Sequence, residues 1–246
     1  MPLNARNHAF IYGVIAEETL KNDARNEEAL IKGIITYGNQ RGARMAQLAV
    51  MNGKELSMKN YLAFGEWAPA AGEMDVRIAE SSPDAVWNVY KCPWNAEWKE
   101  KNMLKMGELY CKYVDAALVK GFNNDLELGL DTNQSKGDEF CYFKWNGADM
   151  TEENKKDNVD IQKKLGDTRI RLWEYHCGHI YKTLKETLTN EIGTEKTDDI
   201  FEKADMRIEG ELGKTVVDLM HSGMLLDYWV CPTGKDVNLL KKFFDK

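Results

Sequence analysis

Residues 92–143 read CPWNAEWKEKNMLKMGELYCKYVDAALVKGFNNDLELGLDTNQSKGDEFCYF, and the rest of the chain is organised around them. Three of the five cysteines lie in this stretch: Cys92, Cys111 and Cys141. Each of the three stands beside a turn signal, an aromatic residue or a carboxylate. The sequence on either side has mainly the apolar spacing of amphipathic helices, so we expect the chemistry of the protein in this stretch.

Two pairs of alternating segments predict a β-sheet. Every second residue is apolar in 74–80, and a turn that contains Pro83 separates this run from the apolar-rich run 85–90. A second pair, 126–130 and 140–145, flanks a polar turn. The predicted fold class is therefore α+β, with a four-stranded antiparallel sheet built from two hairpins, helices between the hairpins, and N- and C-terminal helices packed around it.

Helical spacing of apolar residues predicts the other elements. The predicted helices cover residues 5–21, 26–51, 58–65, 96–102, 107–120, 168–191 and 197–221. Gly38 and Gly42 interrupt the second of these, as a kink or a loop. The charged segment 150–167 is interpreted as an exposed helix or a crossover, and a short amphipathic tail ends at Phe243-Phe244.

The chain is predicted to form a single α+β domain, residues 1–246. Within it, residues 1–66 supply the N-terminal helices, 67–146 the sheet with its linking helices, and 150–246 a C-terminal helical extension. Whether the terminal helices pack on their own sheet or on a second copy is left open, so a homo-oligomer stays an alternative.

Composition restricts the classes of partner. The net charge is −7 and no basic stripe is present, so a nucleic-acid partner is not expected. The chain starts without the apolar core of a signal peptide, and no window has the roughly 18 uncharged apolar residues of a membrane span. We therefore expect a cytoplasmic protein with a small-molecule substrate. The odd number of cysteines, five, then predicts free thiols.

Cys92, Cys111 and Asp115 are the first catalytic candidates. Cys92 stands between a predicted strand and a predicted helix, where the positive end of the helix lowers a thiol pKa. Cys111 and Asp115 are four residues apart on one helical face. The structural alternatives are a small residue capping the sheet for Cys92, an apolar packing residue for Cys111, and a loop cap for Asp115. Cys141 alternates with aromatic residues and is interpreted as sheet core.

A second group of candidates lies outside the central stretch. Two of the four histidines, His176 and His179, share one helical face and are candidates for proton transfer or, with Asp115, for binding a metal. The structural alternative for the two histidines is a place at the edge of the core, where the protein itself supplies the hydrogen bonds of the rings. The remaining candidates are substrate-binding residues, with Arg41 and Arg44 suited to a carboxylate and two aromatic residues beside the catalytic candidates: Arg41, Arg44, Trp94 and Tyr175.

Familiar catalytic motifs are missing from the sequence. It contains no Gly-x-Gly-x-x-Gly, no phosphate loop, no Gly-x-Ser-x-Gly and no His-Glu-x-x-His. Nucleotide-dependent chemistry and the common serine and zinc hydrolases are therefore disfavoured, and no cofactor is predicted.

The central stretch resembles the L-2-amino-thiazoline-4-carboxylic acid hydrolase family over about residues 25 to 146. The resemblance lies in a series of spaced residues: Cys92-Pro93-Trp94, Gly107, Cys111, Asp115, Gly121-Phe122, Gly137-Asp138 and Cys141-Tyr142-Phe143. It implies hydrolysis of a C–N bond in a small cyclic amidine that carries a carboxylate, a step toward cysteine.

The closing segment Gly137–Cys141 is also similar to the end of vinyl-reductase-like small-molecule sensor domains. Those domains carry a cysteine three residues before the glycine, where this chain has Gln134. The similarity therefore implies a topology of two hairpins linked by helices. At Gln134 this chain departs from the cysteine-based zinc site of those domains.

Three functional hypotheses follow. The first is a hydrolase in which Cys92 or Cys111 attacks the amidine or amide carbon. In it Asp115 is the base or an orienting group, and His176 or His179 transfers protons to the departing nitrogen. The second is a binding or sensor protein that uses the same pocket without turnover. The third is a metal-dependent hydrolase with His176, His179 and Asp115 as ligands.

Overall fold

The computed structural model describes residues 2–232 and confirms the α+β class. The helices are α1 (Ala5–Asn22), α2 (Glu27–Met51), α3 (Met58–Ala63), α4 (Pro93–Glu100), α5 (Leu104–Phe122), α6 (Glu152–Leu165), α7 (Trp173–Ile192), α8 (Thr194–Leu212) and α9 (Lys214–Gly223). The strands are β1 (Asp75–Glu80), β2 (Ala85–Lys91), β3 (Leu128–Gly129) and β4 (Cys141–Trp145). The predicted tail at Phe243-Phe244 lies outside the described residues.

The sheet has the strand order β1-β2-β4-β3, and all neighbouring strands are antiparallel. Both predicted hairpins are confirmed, β1 with β2 and β3 with β4. In the central pair, Val89 of β2 lies opposite Cys141 of β4. Since Cys92 follows β2 directly and caps α4, Cys92 and Cys141 stand at the same end of the sheet.

Helices α2 and α5 cross closely and run through both halves of the molecule. The predicted interruption at Gly38 and Gly42 is wrong, because α2 is continuous from Glu27 to Met51. A Cβ on Gly38 would come within 2.7 Å of the Ala117 Cβ and of the Val114 carbonyl oxygen, so the glycine serves the helix crossing. The close crossing brings the middle of α2 next to the middle of α5.

Two apolar cores lie on either side of this crossing. One contains the first half of α2 with α1, α4, α7, α8 and α9, and the other contains the second half of α2 with α3, α6 and the sheet. Buried side chains such as Ile34 belong to the first core, and Met45 belongs to the second. The middle of α2, near residue 41, therefore lies where the two cores meet.

The C-terminal helices differ from the prediction in one place. The predicted helix 197–221 is two helices, α8 and α9, because Gly213 adopts a φ of 88° between them. Gly193 ends α7 as predicted, with a φ of 89°. None of the helices between residues 2 and 232 combines the length and the hydropathy needed to cross a membrane.

Candidate active site

Arg44 on α2 and Glu66 after α3 form a buried ion pair. The Arg44 guanidinium donates from Nε to Glu66 Oε1 and from Nη2 to Glu66 Oε2, both at 2.8 Å, and from Nη1 to the Tyr228 carbonyl oxygen. Burial by itself raises the pKa of Glu66, but the Arg44 guanidinium, together with Arg41 and Arg171, holds it below its usual value. Each of the three guanidinium nitrogens of Arg44 thus has an acceptor.

His179 on α7 extends this ion pair into a hydrogen-bonded network. Its Nε2 lies 2.7 Å from Gln40 Oε1, which also accepts a hydrogen bond from the Thr183 hydroxyl. Its Nδ1 faces Arg44 Nη2 at 3.5 Å, and burial lowers the pKa of His179 so that the ring is neutral. We name this set the Glu66 network, consisting of Gln40, Arg44, Glu66, His179 and Thr183.

Arg41 stands one turn before Arg44 and has far fewer partners. It is 7% exposed, and among residues 2–232 its side chain makes one hydrogen bond, from Nε to Glu66 Oε2 at 3.4 Å. Its guanidinium carbon lies 5.7 Å from the centre of the Tyr37 ring. Two Nη groups of a buried cation therefore remain available to a ligand.

Asp115 on α5 is the carboxylate that faces Arg41 from the opposite helix. Burial raises the pKa of Asp115 to about 6, and the charge of Arg41 opposes part of that rise. In the described chain its carboxylate has no hydrogen-bond donor. Asp115 thus combines burial, a nearby cation and a pKa close to neutral, as expected of a functional carboxylate.

Three thiols surround Asp115. Cys111 precedes it by one turn of α5, Cys92 caps α4, and Cys141 begins β4. Cys92, Cys111 and Asp115 lie deep among protein atoms, yet each keeps part of its surface accessible to water. They therefore form a partly accessible cluster between α5 and the end of the sheet.

The thiols are protonated at neutral pH. Burial raises the pKa of Cys92 to about 12, although the backbone N–H groups of Asn95 and Trp94 at the start of α4 lower it in part. Burial raises the pKa of Cys111 well above its usual value, and the neighbouring Cys92 and Asp115 add to that rise. A thiolate at Cys92 or Cys111 therefore needs a base, and Asp115 is adjacent.

His176 on α7 places a neutral imidazole near Arg41, which is also the neighbour of Asp115. The residue is 1% exposed, and within the part of the chain that the structure describes neither ring nitrogen makes a hydrogen bond of regular geometry, although the Glu66 backbone lies close enough to raise the His176 pKa in part. Burial lowers the pKa of His176, and the charges of Arg41 and Arg44 lower it further. An unsatisfied buried ring of this kind is a ready hydrogen-bonding group for a ligand.

The hydroxyl of Tyr110 on α5 lies at the same place. Burial raises the pKa of Tyr110, with Tyr37, Arg41, Asp115 and Cys111 as its charged or titratable neighbours. We name the whole set the Asp115 pocket, consisting of Arg41, Cys92, Tyr110, Cys111, Asp115, Cys141 and His176.

The amino-acid sequence matches one known family. The sequence model of the L-2-amino-thiazoline-4-carboxylic acid hydrolase family matches residues 4–145, more than half of the chain. The chain belongs to this family. Searches of curated proteins and of solved structures returned no match. The matched segment contains six of the seven residues of the Asp115 pocket, and His176 lies beyond it.

Other predicted residues of this family member take structural positions. Trp94 donates from Nε1 to His8 Nδ1 at 3.1 Å, and Tyr175 packs its ring 5.2 Å from the Arg44 guanidinium. Arg44 and His179 belong to the Glu66 network, which leaves Arg41 and His176 as the members of each pair that face the Asp115 pocket.

Sequence reasoning missed Glu66, Tyr37 and Tyr110 and placed Cys141 in the sheet core. Glu66 carries no periodic signal, because it lies in the loop after α3. The alternation in 141–145 does suggest that Cys141 faces inward, but Cys141 begins the strand, is only partly buried, and lies within the electrostatic influence of Asp115.

The three residues of the predicted metal alternative do not form a ligand cluster in the part of the chain that the structure describes. Across residues 2–232, no three His, Cys, Asp or Glu side chains come close enough to hold a metal ion. His179 is hydrogen-bonded to Gln40, and Asp115 lies on α5 beside the thiols. His176, His179 and Asp115 therefore do not form a common ligand set.

Two open clefts on the surface of this family member lie apart from the Asp115 pocket. One lies between α2 and α5 and the other between α2 and α7, and both are lined by Ile35 and Trp229. Neither is lined by the pocket thiols, Asp115 or His176. The candidate catalytic side chains therefore line neither of these two surface clefts.

Proposed function

We propose that this chain hydrolyses a C–N bond of a small cyclic amidine or amide that carries a carboxylate, and that the reaction takes place in the Asp115 pocket. The observation that carries the proposal is that Asp115, whose pKa burial raises to about 6, lies within the electrostatic influence of Arg41, whose Nη groups have no hydrogen-bond partner among residues 2–232. The family to which the chain belongs is named for hydrolysis of a thiazoline carboxylic acid, which fits this chemistry.

Arg41 binds the substrate carboxylate in this proposal. A guanidinium matches a carboxylate with two parallel hydrogen bonds. The guanidiniums of Arg41, Arg44 and Arg171 face Glu66 and Asp115, so ionised carboxylates leave one positive charge in the interior. A substrate with one carboxylate neutralises that charge.

Asp115 is the general base, and Cys92 is the nucleophile. The Cys92 thiol gives its proton to Asp115, and the sulfur attacks the electrophilic carbon. As the C–N bond breaks, Asp115 returns the proton to the leaving nitrogen. Water then attacks the thiol-bound carbon and loses its proton to Asp115, which passes it back to the departing sulfur. The start of α4 favours Cys92 over Cys111, because its N–H groups lower the Cys92 pKa.

His176 serves as a neutral hydrogen-bonding partner of the substrate nitrogens. Its low pKa makes the imidazolium form rare at neutral pH, so it orients the leaving group and does not act as the acid.

The test is turnover of L-2-amino-thiazoline-4-carboxylic acid by the wild type and by single variants. Asp115→Asn is expected to lower kcat by about 10²- to 10⁴-fold, the usual range for a general base. Arg41→Gln is expected to raise KM by about 10- to 100-fold, the loss of a charged hydrogen bond. Arg207→Gln, which removes a surface arginine paired with Glu17 and Glu18, is the control and should leave KM unchanged.

The nucleophile is tested separately. Cys92→Ala should abolish turnover, whereas Cys177→Ala, which alters a core cysteine of α7, should retain it. Mass spectrometry of a single turnover should find the substrate carbon on Cys92. Full turnover by both Cys92→Ala and Cys111→Ala would show that water attacks directly, with Asp115 alone as base.

Binding without turnover is the second candidate function. The raised pKa values of Cys92 and Cys111 favour it, since both thiols are protonated before a ligand arrives. It predicts that the thiazoline carboxylate raises Tm while the mixture contains no ring-opened product.

A further inference from the structure

A chain of hydrogen bonds leads from Trp94 through His8 to Tyr37. Trp94 Nε1 lies 3.1 Å from His8 Nδ1, and His8 Nε2 lies 2.9 Å from the Tyr37 hydroxyl oxygen. All three side chains are buried, His8 completely and Tyr37 at 1% exposure. The chain starts on α4, passes through α1 and ends on α2, four residues before Arg41.

The direction of these hydrogen bonds follows from the chemistry of the three groups. An indole N–H only donates, so His8 Nδ1 must accept and carries no proton. Burial lowers the pKa of His8, which leaves a neutral ring with its one proton on Nε2. His8 Nε2 therefore donates to the Tyr37 oxygen, and the Tyr37 proton must point elsewhere.

The Tyr37 hydroxyl borders the Asp115 pocket. Burial raises the pKa of Tyr37 to about 12, and Arg41 is the charged group that opposes the rise most. After burial, Tyr37 is the group that raises the pKa of Tyr110 most. Among the described residues the Tyr37 hydroxyl has His8 as its one hydrogen-bond partner, so its proton is left without an acceptor beside Arg41.

We propose that Tyr37 donates a hydrogen bond to the substrate carboxylate held by Arg41, and that His8 and Trp94 are positioning residues which fix the direction of the Tyr37 proton. A carboxylate has about four acceptor sites, of which a guanidinium occupies two. Tyr37 then takes a third site. The role of Tyr37 rests on the proposed function of the pocket, whereas the tautomer of His8 does not.

The first test measures the His8 tautomer by ¹⁵N NMR of the imidazole nitrogens. The wild type should have His8 protonated at Nε2 and unprotonated at Nδ1. Trp94→Phe removes the indole donor, so Nδ1 takes the proton and Tyr37 then donates to Nε2. Trp173→Phe is the matched control, because its ring also lies near His8, at 6.0 Å, without donating to it. A wild-type His8 protonated at Nδ1 overturns the proposal.

The second test measures KM, kcat and the Kd of L-2-amino-thiazoline-4-carboxylic acid. Tyr37→Phe should raise KM and Kd about tenfold with kcat little changed, because the bond is made equally in ground and transition states. Trp94→Phe should shift KM in the same direction. His8→Gln, whose amide can accept from Trp94 and donate to Tyr37, should retain the wild-type KM, whereas His8→Leu should not.

The outcomes separate the role of Tyr37 from hydrolysis. A wild type that binds the probe without cleaving it, with weaker binding by Tyr37→Phe, overturns hydrolysis and supports the role of Tyr37. Unchanged KM and Kd in Tyr37→Phe, with wild-type turnover intact, overturn the role of Tyr37 alone. A wild type that neither binds nor cleaves the probe overturns both.

Discussion

The Glu66 network and the Asp115 pocket lie side by side and each contains a buried carboxylate. Glu66 accepts hydrogen bonds from Arg44 and Arg41 and has a lowered pKa, whereas Asp115 has no hydrogen-bond donor within residues 2–232 and a pKa raised to about 6. A carboxylate is thus fully hydrogen-bonded in the Glu66 network, whereas the carboxylate of the Asp115 pocket has no donor among the described residues. The difference predicts that Glu66 stabilises the fold, whereas the ionised form of Asp115, which the proposed mechanism requires, lowers its stability.

Removal of the Glu66 charge should have the largest effect. Glu66→Gln leaves Arg44, which is fully buried, without a counter-charge, and we expect a loss of about 3–5 kcal/mol in the free energy of unfolding. Because the folded pKa of Glu66 is lowered, its contribution is complete above the unfolded pKa and is lost as the pH falls through the folded one. Urea unfolding of both proteins at several pH values measures the loss.

Glu97→Gln is the control for this experiment. Glu97 is also buried, but its partner Arg6 is 42% exposed, so water replaces the lost partner and the change should be at most about 1 kcal/mol. Equal losses in the two variants would contradict the special role of the Glu66 network.

Removal of the Asp115 charge should have the opposite sign. The folded pKa of about 6 exceeds the usual 3.8, so ionising Asp115 costs the folded state roughly 3 kcal/mol at pH 7.5. This cost is absent below about pH 4 and grows between pH 4 and 6. Asp115→Asn should therefore raise the free energy of unfolding at pH 7.5 and leave it nearly unchanged at pH 4.

One result would contradict this difference between Asp115 and Glu66. If Asp115→Asn destabilises the protein at pH 7.5, the carboxylate has a stabilising partner and belongs with Glu66. Chemical denaturation at both pH values, with the variant and wild type in the same buffers, distinguishes the two results.

The sequence predicted the sheet better than the site, for a physical reason. Alternation in 74–80 and 140–145 records which face of each strand is buried, so both hairpins could be read locally. Gly38 was misread as a helix break because its cause, the contact with Ala117 on α5, lies far away in the chain. A local pattern predicts which side chains are buried, but it does not predict which distant residues they contact.

The site residues likewise fall into those that a local pattern predicts and those that depend on contacts with distant elements. The spacing of Cys111 and Asp115 predicts one helical face, because it depends on α5 alone. Glu66 and Tyr37 have roles that depend on Arg44 and His8, from other elements, and no local pattern reveals them. His176 was identified from its spacing to His179 on one helix, but only the fold tells the two apart, because His179 Nε2 is hydrogen-bonded to Gln40.

Gly178 offers a smaller test of the Glu66 network. A Cβ there would lie 2.9 Å from the Tyr228 hydroxyl and 3.3 Å from the Gly223 Cα, so Gly178→Ala should displace Tyr228, whose carbonyl oxygen binds Arg44. We expect a net loss of about 1–2 kcal/mol, since overpacking exceeds the gain in helix propensity. Thermal unfolding measures the effect.

Gly210 on α8 is the matched control for Gly178. No atom lies within 4 Å of a Cβ built there, so Gly210→Ala should gain up to about 1 kcal/mol. A gain in both variants would mean that Tyr228 moves without cost and that the C-terminal segment contributes little to the network.

The Tyr228 hydroxyl should give the smallest effect. Its ring stacks on His179 at 4.4 Å and its carbonyl oxygen accepts from Arg44, but the hydroxyl is buried without a partner in residues 2–232. Tyr228→Phe keeps the ring and the carbonyl and removes an unsatisfied group, so stability should stay the same or rise by up to about 1 kcal/mol. Tyr181→Phe is the control, because its hydroxyl bonds to Asp205 at 3.0 Å, and it should lose about 1–2 kcal/mol. An equal loss in both variants would show that the Tyr228 hydroxyl has a hydrogen-bond partner and contributes to stability as the Tyr181 hydroxyl does.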